Sequence, residues 1–138
     1  MDGTSYGRYT MGINVMWDNS ERTIIRYEFE VRWSWGDLYA ASDEGTALLD
    51  SVGHRVDFIA DLRGTSQLPG DFMQHAGRIA GGTHPRRGIV VVVGASPVLR
   101  GLSNTVGFLY RKATKDLRFA DSLEEARTII ARERTETR

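Results

Sequence analysis

Asp61, Arg63, Thr65 and Ser66 put a carboxylate, a guanidinium and two hydroxyls within one short stretch, DLRGTS. A carboxylate at a strand end can accept a phosphoryl group, provided further acids bind magnesium and a lysine closes the site. Asp18 offers one such acid, but Asp43 and Glu44 fall inside a helical pattern and the last strand closes on Phe119 and Ala120 without a lysine. The plainer reading has Asp61 capping the loop that follows it. In that loop, Arg63 can make a charge-assisted contact to a partner's anionic group. Pro69 and Gly70 make the exit a turn, and Asp71 can cap the next helix with its own carboxylate. That acid takes the place a phosphate would occupy. Asp61, Arg63, Thr65 and Ser66 are therefore expected to form a surface on which a partner docks.

Other chemistry finds little footing. His54, His75 and His84 match no common zinc spacing, and the chain contains no cysteine. No metal and no cofactor is expected. The run GGTHPRRG sits between a helix and a strand, whereas phosphate cradles lie between a strand and a helix, so a turn is expected there. Nucleophile elbow, phosphate loop and dinucleotide fingerprint are all missing. With no acid, base and nucleophile set converging, the chain reads as a binding protein and not an enzyme.

These residues need elements to hold them. Ile13 to Trp17 reads as a short strand, followed by turn formers Asp18, Asn19 and Ser20. From Thr23 to Trp33 apolar and charged residues alternate, the period of a half-buried strand. Ser34 and Asp37 form a capping box for a helix whose inward stripe is Leu38, Ala41, Gly45, Leu48, Leu49 and Val52, with Gly53 as its stop. Val56 to Leu62 is a strand, and Asp71 to about Gly81 a helix. Ile89 to Val93 is apolar throughout, as in a strand covered on both faces. Ser96 and Pro97 open a helix reaching Ala113, Leu117 to Ala120 is a strand, and Ser122 with Glu125 caps the last helix. The aromatic side of the second strand, Tyr27, Phe29 and Trp33, is expected in the core, with a small apolar ligand pocket as the alternative.

The order ββαβαβαβα implies an α/β fold: a five-stranded mixed sheet, parallel except for its first strand. Right-handed crossovers that always step the same way stack helices mainly on one face. The element order, DLRGTS after the third strand, and FADSLEEARTII at the end together resemble the STAS family, the anti-sigma-factor-antagonist domains of bacteria. The resemblance spans roughly residues 12 to 131. It implies a regulatory protein–protein interaction module switched by phosphorylation of a serine at the helix start after the third strand. The matching positions here are Leu68, Pro69, Gly70 and Asp71, which carry no hydroxyl, so that serine does not carry over.

Composition fits one soluble domain: 138 residues, 41% hydrophobic and 26% charged. Residues 1–11 are expected to be a flexible arm, 12–131 the domain and 132–138 a frayed tail. Eighteen basic and eighteen acidic residues cancel, giving no argument for nucleic acid, although residues 86–118 are basic and 1–70 acidic. No apolar run is long enough for membrane insertion. The absence of cysteine points to the cytoplasm. An apolar fourth strand in a sheet open on one face suggests a homodimer. A carrier or sensor of a small apolar or anionic ligand is the alternative function.

Overall fold

The computed structural model of the chain describes residues 12–65, 70–71, 75, 84–94 and 116–136. Within them β1 (Ile13–Trp17) and β2 (Ile24–Phe29) form an antiparallel hairpin, with Val15 opposite Tyr27. Asn19 holds the turn: its side-chain oxygen accepts from the Thr23 amide at 3.0 Å, and its side-chain nitrogen donates to the Thr23 hydroxyl at 2.7 Å. β3 (Val56–Asp61), β4 (Arg87–Val93) and β5 (Leu117–Ala120) add in parallel, giving the sheet order β1-β2-β3-β4-β5. The fold is thus α/β with a five-stranded mixed sheet.

Two helices lie among the described residues. α1 (Trp35–Asp50) starts at a complete capping box: the Asp37 amide donates to Ser34 Oγ at 3.0 Å and the Ser34 amide to Asp37 Oδ2 at 2.9 Å. α2 (Leu123–Glu136) opens similarly, with the Glu125 amide donating to Ser122 Oγ at 3.0 Å. Here the returning Glu125 carboxylate catches the Asp121 amide, at 2.7 Å, one residue before the cap. Of the helix expected over 71–81 only Asp71 and His75 are described, and the one expected over 96–113 lies outside the described residues, so the full order ββαβαβαβα is not established. Asp71 itself has φ +62°, a left-handed backbone and not the extended one of a usual helix cap.

The expectation of helices mainly on one face does not hold for the described pair. Ile25 and Phe58 pair across β2 and β3 and face α1, clustering with Ala41, Leu49, Ile13 and Val15. Their chain neighbours Ile24 and Ile59 face the other way and cluster with Ala126 and Ile130 of α2. The two helices therefore cover opposite faces. The physical reason lies in what each helix connects. α1 joins two parallel strands, β2 and β3, so crossover handedness governs it. α2 follows β5 and connects no two of the described strands, so burial directs it. It settles over β3, β4 and β5, where Ile59, Ile89, Val91 and Val93 would otherwise meet water. The case for a homodimer that rested on an uncovered apolar face loses its basis.

Several boundaries also move. β2 ends at Phe29 and not Trp33, and Val31 stands 56% exposed. The Glu30 amide still bonds to the Gly12 carbonyl, at 2.9 Å, one residue before β1 begins at Ile13. α1 stops at Ser51, not Gly53; the Ser51 amide donates to the Leu48 carbonyl at 3.1 Å. The tail expected to fray from residue 132 is helical to Glu136. Arg134 is tied down there by the buried Asp57.

Asp57 is 0% exposed and fully partnered. Its Oδ2 accepts from Arg134 Nε at 2.7 Å, and its Oδ1 from Arg55 Nη2 at 3.1 Å and from the Ile89 amide at 2.9 Å. The Ile89 amide is free for this because the β3–β4 register slips between Val56 and Phe58, a bulge that falls at Gly88. A side chain at Gly88 would run into the Asp57 carboxylate. Glycine there is what lets the acid sit inside.

Candidate functional site

The groove of the described residues opens at the carboxyl ends of β2 and β3, with a volume of about 490 Å³. Asn14, Glu28, Phe29, Glu30, Asp61, Arg63 and Gly64 line it. Loops at this end of parallel strands commonly bind ligands, because the strands hold them rigidly while the loops vary freely. Of the residues expected from sequence to form a docking loop, Asp61 and Arg63 line this groove and Thr65 lies next to Gly64 at its edge. Ser66 lies outside the described residues.

Asp61 ends β3 and is nearly buried. Its Oδ1 accepts the Arg63 amide at 3.1 Å, the loop cap expected from sequence. The Arg63 guanidinium returns to the same carboxylate, Nε to Oδ1 and Nη2 to Oδ2, both at 2.9 Å. Such a two-pronged pair fixes the arginine's direction. Burial alone would raise the Asp61 carboxyl; the Arg63 side-chain and backbone bonds, with the charges of Arg63 and Arg26, outweigh it and hold the acid below its ordinary range. Arg63 also leans over Gly94, whose φ of +77° and missing side chain leave room for the arginine's Cγ. Its tip remains 49% exposed, so the charge is presented to solvent on a fixed stem.

Thr65 is anchored and not displayed. Its hydroxyl donates to the Glu30 carbonyl at 2.9 Å, and its amide bonds to the Leu62 carbonyl at 3.1 Å. The first contact sews the loop to the end of β2. Leu62 in turn donates to the Val93 carbonyl at 2.9 Å, so the loop starts from two adjacent strands.

Glu28 is the residue sequence reasoning missed. It sits beside Asp61 in the β2–β3 register, two acids side by side on one face. Like charges so placed repel unless neutralised. Each has its own arginine: Glu28 stands 3.0 Å from Arg26 Nε, an ion pair by proximity and not an aligned hydrogen bond, while Asp61 takes Arg63 at both oxygens. The alternation in β2 had put Arg26 and Glu28 on its polar side, but only the register says which acid stands next to Glu28.

Arg26 reaches further. Its Nη1 bonds Asp18 Oδ1, and Asp18 also receives Arg127 of α2, Nη2 to Oδ1 at 2.8 Å and Nε to Oδ2 at 2.9 Å. The Arg127 hydrogen bonds outweigh the opposing effect of burial, and with Arg26 they hold the Asp18 carboxyl below its ordinary range.

The histidines are scattered. His54 Nε2 meets the Arg22 carbonyl at 2.8 Å, His84 Nε2 meets Asp50 at 2.9 Å, and His75 stacks on Trp35 while bonding the Tyr39 hydroxyl. Among the described residues no set of His, Asp and Glu stands where it could hold a metal ion. None of the described helices is long and apolar enough to cross a membrane. Tyr27 and Phe29 of β2 are half-buried against the core around Ile25 and Phe58: Tyr27 stacks on Phe58 with centroids 5.9 Å apart, and Phe29, which also lines the groove, meets Trp33 edge-on at 4.9 Å. No protein-family model matches the chain, and no curated protein matches it.

Proposed function

We propose that the chain is a STAS-like regulatory module that binds a protein partner at the rim formed by Glu28, Glu30, Asp61, Arg63 and Thr65, and that it works without catalysis and without a phosphorylated serine. One observation carries this reading. Arg63 is clamped by Asp61 and seated over Gly94, yet presents its guanidinium to solvent beside an exposed acid, Glu30. A charge held rigidly before binding loses little side-chain entropy when a partner arrives, which favours recognition. The same clamp disfavours acid–base work. A carboxylate already ionised and bound at both oxygens is a poor proton acceptor near neutral pH. Thr65 spends its hydroxyl on the Glu30 carbonyl, so phosphorylating it would require opening the loop. The expected partner surface carries matching charges, a carboxylate for Arg63 and a cation for Glu30. The reading assigns the protein to the cytoplasm and assigns it neither nucleic acid nor membrane.

Site-specific photo-crosslinking tests this. A crosslinking residue is placed at Glu30, and in parallel at Arg132 on the outer side of α2. The expected result is a discrete adduct from position 30 that disappears in Arg63→Glu and is absent from position 132. Equal labelling at both positions, or an adduct indifferent to Arg63→Glu, would overturn the reading.

A further inference from the structure

We propose that α2 is a latch that opens as a unit separate from the sheet, and that its state is relayed to the groove through Arg127, Asp18, Arg26 and Glu28. The inference rests on the groove being the docking surface, since it describes how that surface is controlled.

The attachment of α2 motivates it. Of its own side chains the helix buries only Ala126 and Ile130 against the sheet, with Leu123 and Ile129 half-covered beside them. It is also fastened by polar contacts spread along its length: Arg127 to Asp18, Glu133 to Arg118, and Arg134 to Asp57 and to the Thr23 and Arg55 carbonyls. Each pair reaches a different part of the sheet, the β1–β2 turn, β5 and β3. α2 connects no two of the described strands, so lifting it breaks none of the strand pairings of the sheet. Segments with few buried apolar contacts open more readily than the core, and they do so as cooperative units. β3 and β4, paired on both sides at the centre of the sheet, are the opposite case.

The relay starts at the first of these fastenings. Asp18 is 1% exposed and holds two arginines, Arg127 from α2 and Arg26 from β2. Arg26 divides its guanidinium between Asp18 and Glu28, and Glu28 lines the groove beside Asp61. While α2 is closed, Arg127 supplies half of the positive charge around Asp18. When α2 lifts, Arg26 alone must satisfy that buried carboxylate, and it is drawn away from Glu28. Glu28 then faces the neighbouring Asp61 with less neutralisation. A partner that prefers one arrangement of Glu28 would therefore favour one state of α2, and the coupling is reciprocal. Arg26 and Asp18 are positioning residues in this scheme.

Hydrogen exchange on the full chain, alone in solution, tests the latch without needing any partner. The α2 amides are expected to exchange at least about tenfold faster than those of β3 and β4. In Arg127→Gln they should quicken by roughly tenfold more, and the Glu30 amide, bonded to Gly12 at the groove, should quicken with them. Arg127→Lys, which keeps the charge but loses the paired geometry, should fall between. Arg132→Gln, on the same helix, should leave both regions unchanged. If α2 exchanges together with β3 and β4, there is no separate latch. If Arg127→Gln quickens α2 and leaves Glu30 alone, or if Arg132→Gln acts equally, the relay is wrong. A failed photo-crosslink at position 30 would sink the docking surface and leave these exchange results standing.

Discussion

Asp57 shows what a buried acid demands of its surroundings. Its carboxylate takes two arginines and one backbone amide, and the bulge at Gly88 exists where that amide must turn inward. Removing the acid strands the Ile89 amide and leaves Arg55 and Arg134 facing each other. Both arginines can swing toward water, so Asp57→Ala should cost about 3 kcal/mol, the lower end for a broken buried pair. Urea unfolding would measure it; a loss under 1 kcal/mol would mean the network contributes little. Tyr27 makes a second case. Burial pushes its hydroxyl up to about 12, against an ordinary value near 10. A raised folded value means stability complete below the unfolded value and lost as pH rises through the folded one. Unfolding should therefore set in between roughly pH 10 and 12, and tyrosinate absorbance followed during alkaline titration should rise with it. Tyr27 also lies against Gly45 of α1, where any side chain would strike its ring. Gly45→Ala should lose roughly 1–3 kcal/mol, partly restored by Tyr27→Phe, and a double-mutant cycle reads that coupling. At this scale the Asp61–Arg63 clamp was legible because both residues lie in one loop. Glu28 was not, since its neighbour Asp61 comes from a strand thirty-odd positions away and meets it only through register.

Elements were legible where their signals are local. Ser34 and Asp37 mark the start of α1 by chemistry contained in four residues, and the cap is present as read. Ser34→Ala should cost about 1 kcal/mol, visible in thermal unfolding monitored by circular dichroism. An unchanged midpoint would show that tertiary packing alone fixes the helix start. Ends were less legible. The alternation of β2 continues to Trp33, but the strand ends at Phe29, the residue paired with Ile13. The charged end of α2 looked like a frayed tail because its partners, Asp57 and Arg118, are distant in sequence. RERTETR has no apolar face of its own; as far as Glu136 it is helical, with Arg134 reaching a buried acid.

For the whole molecule, acid sensitivity follows from the same pairs. Asp18 and Asp61 both have carboxyls held below their ordinary range in the fold. Such groups contribute stability that is present above the unfolded value, about 3.9, and is lost as pH falls through the folded one. Stability should accordingly fall as pH drops below about 4. Asp18→Asn should lower stability at pH 7 and flatten that fall, whereas a slope unaffected by the change would place the acid response elsewhere. Composition, the period of two in β2, the unbroken apolar run of β4 and the capping pairs determined by themselves that the chain is α/β with a five-stranded mixed sheet, because each signal is written within a few neighbouring residues. Only the tertiary structure decided that α2 crosses to the face opposite α1, and that Glu28 stands beside Asp61 with Arg26 linking it to Asp18 and α2. Those outcomes depend on which surfaces remain wet once the sheet has formed, and on register between strands far apart in the chain, neither of which any local pattern encodes.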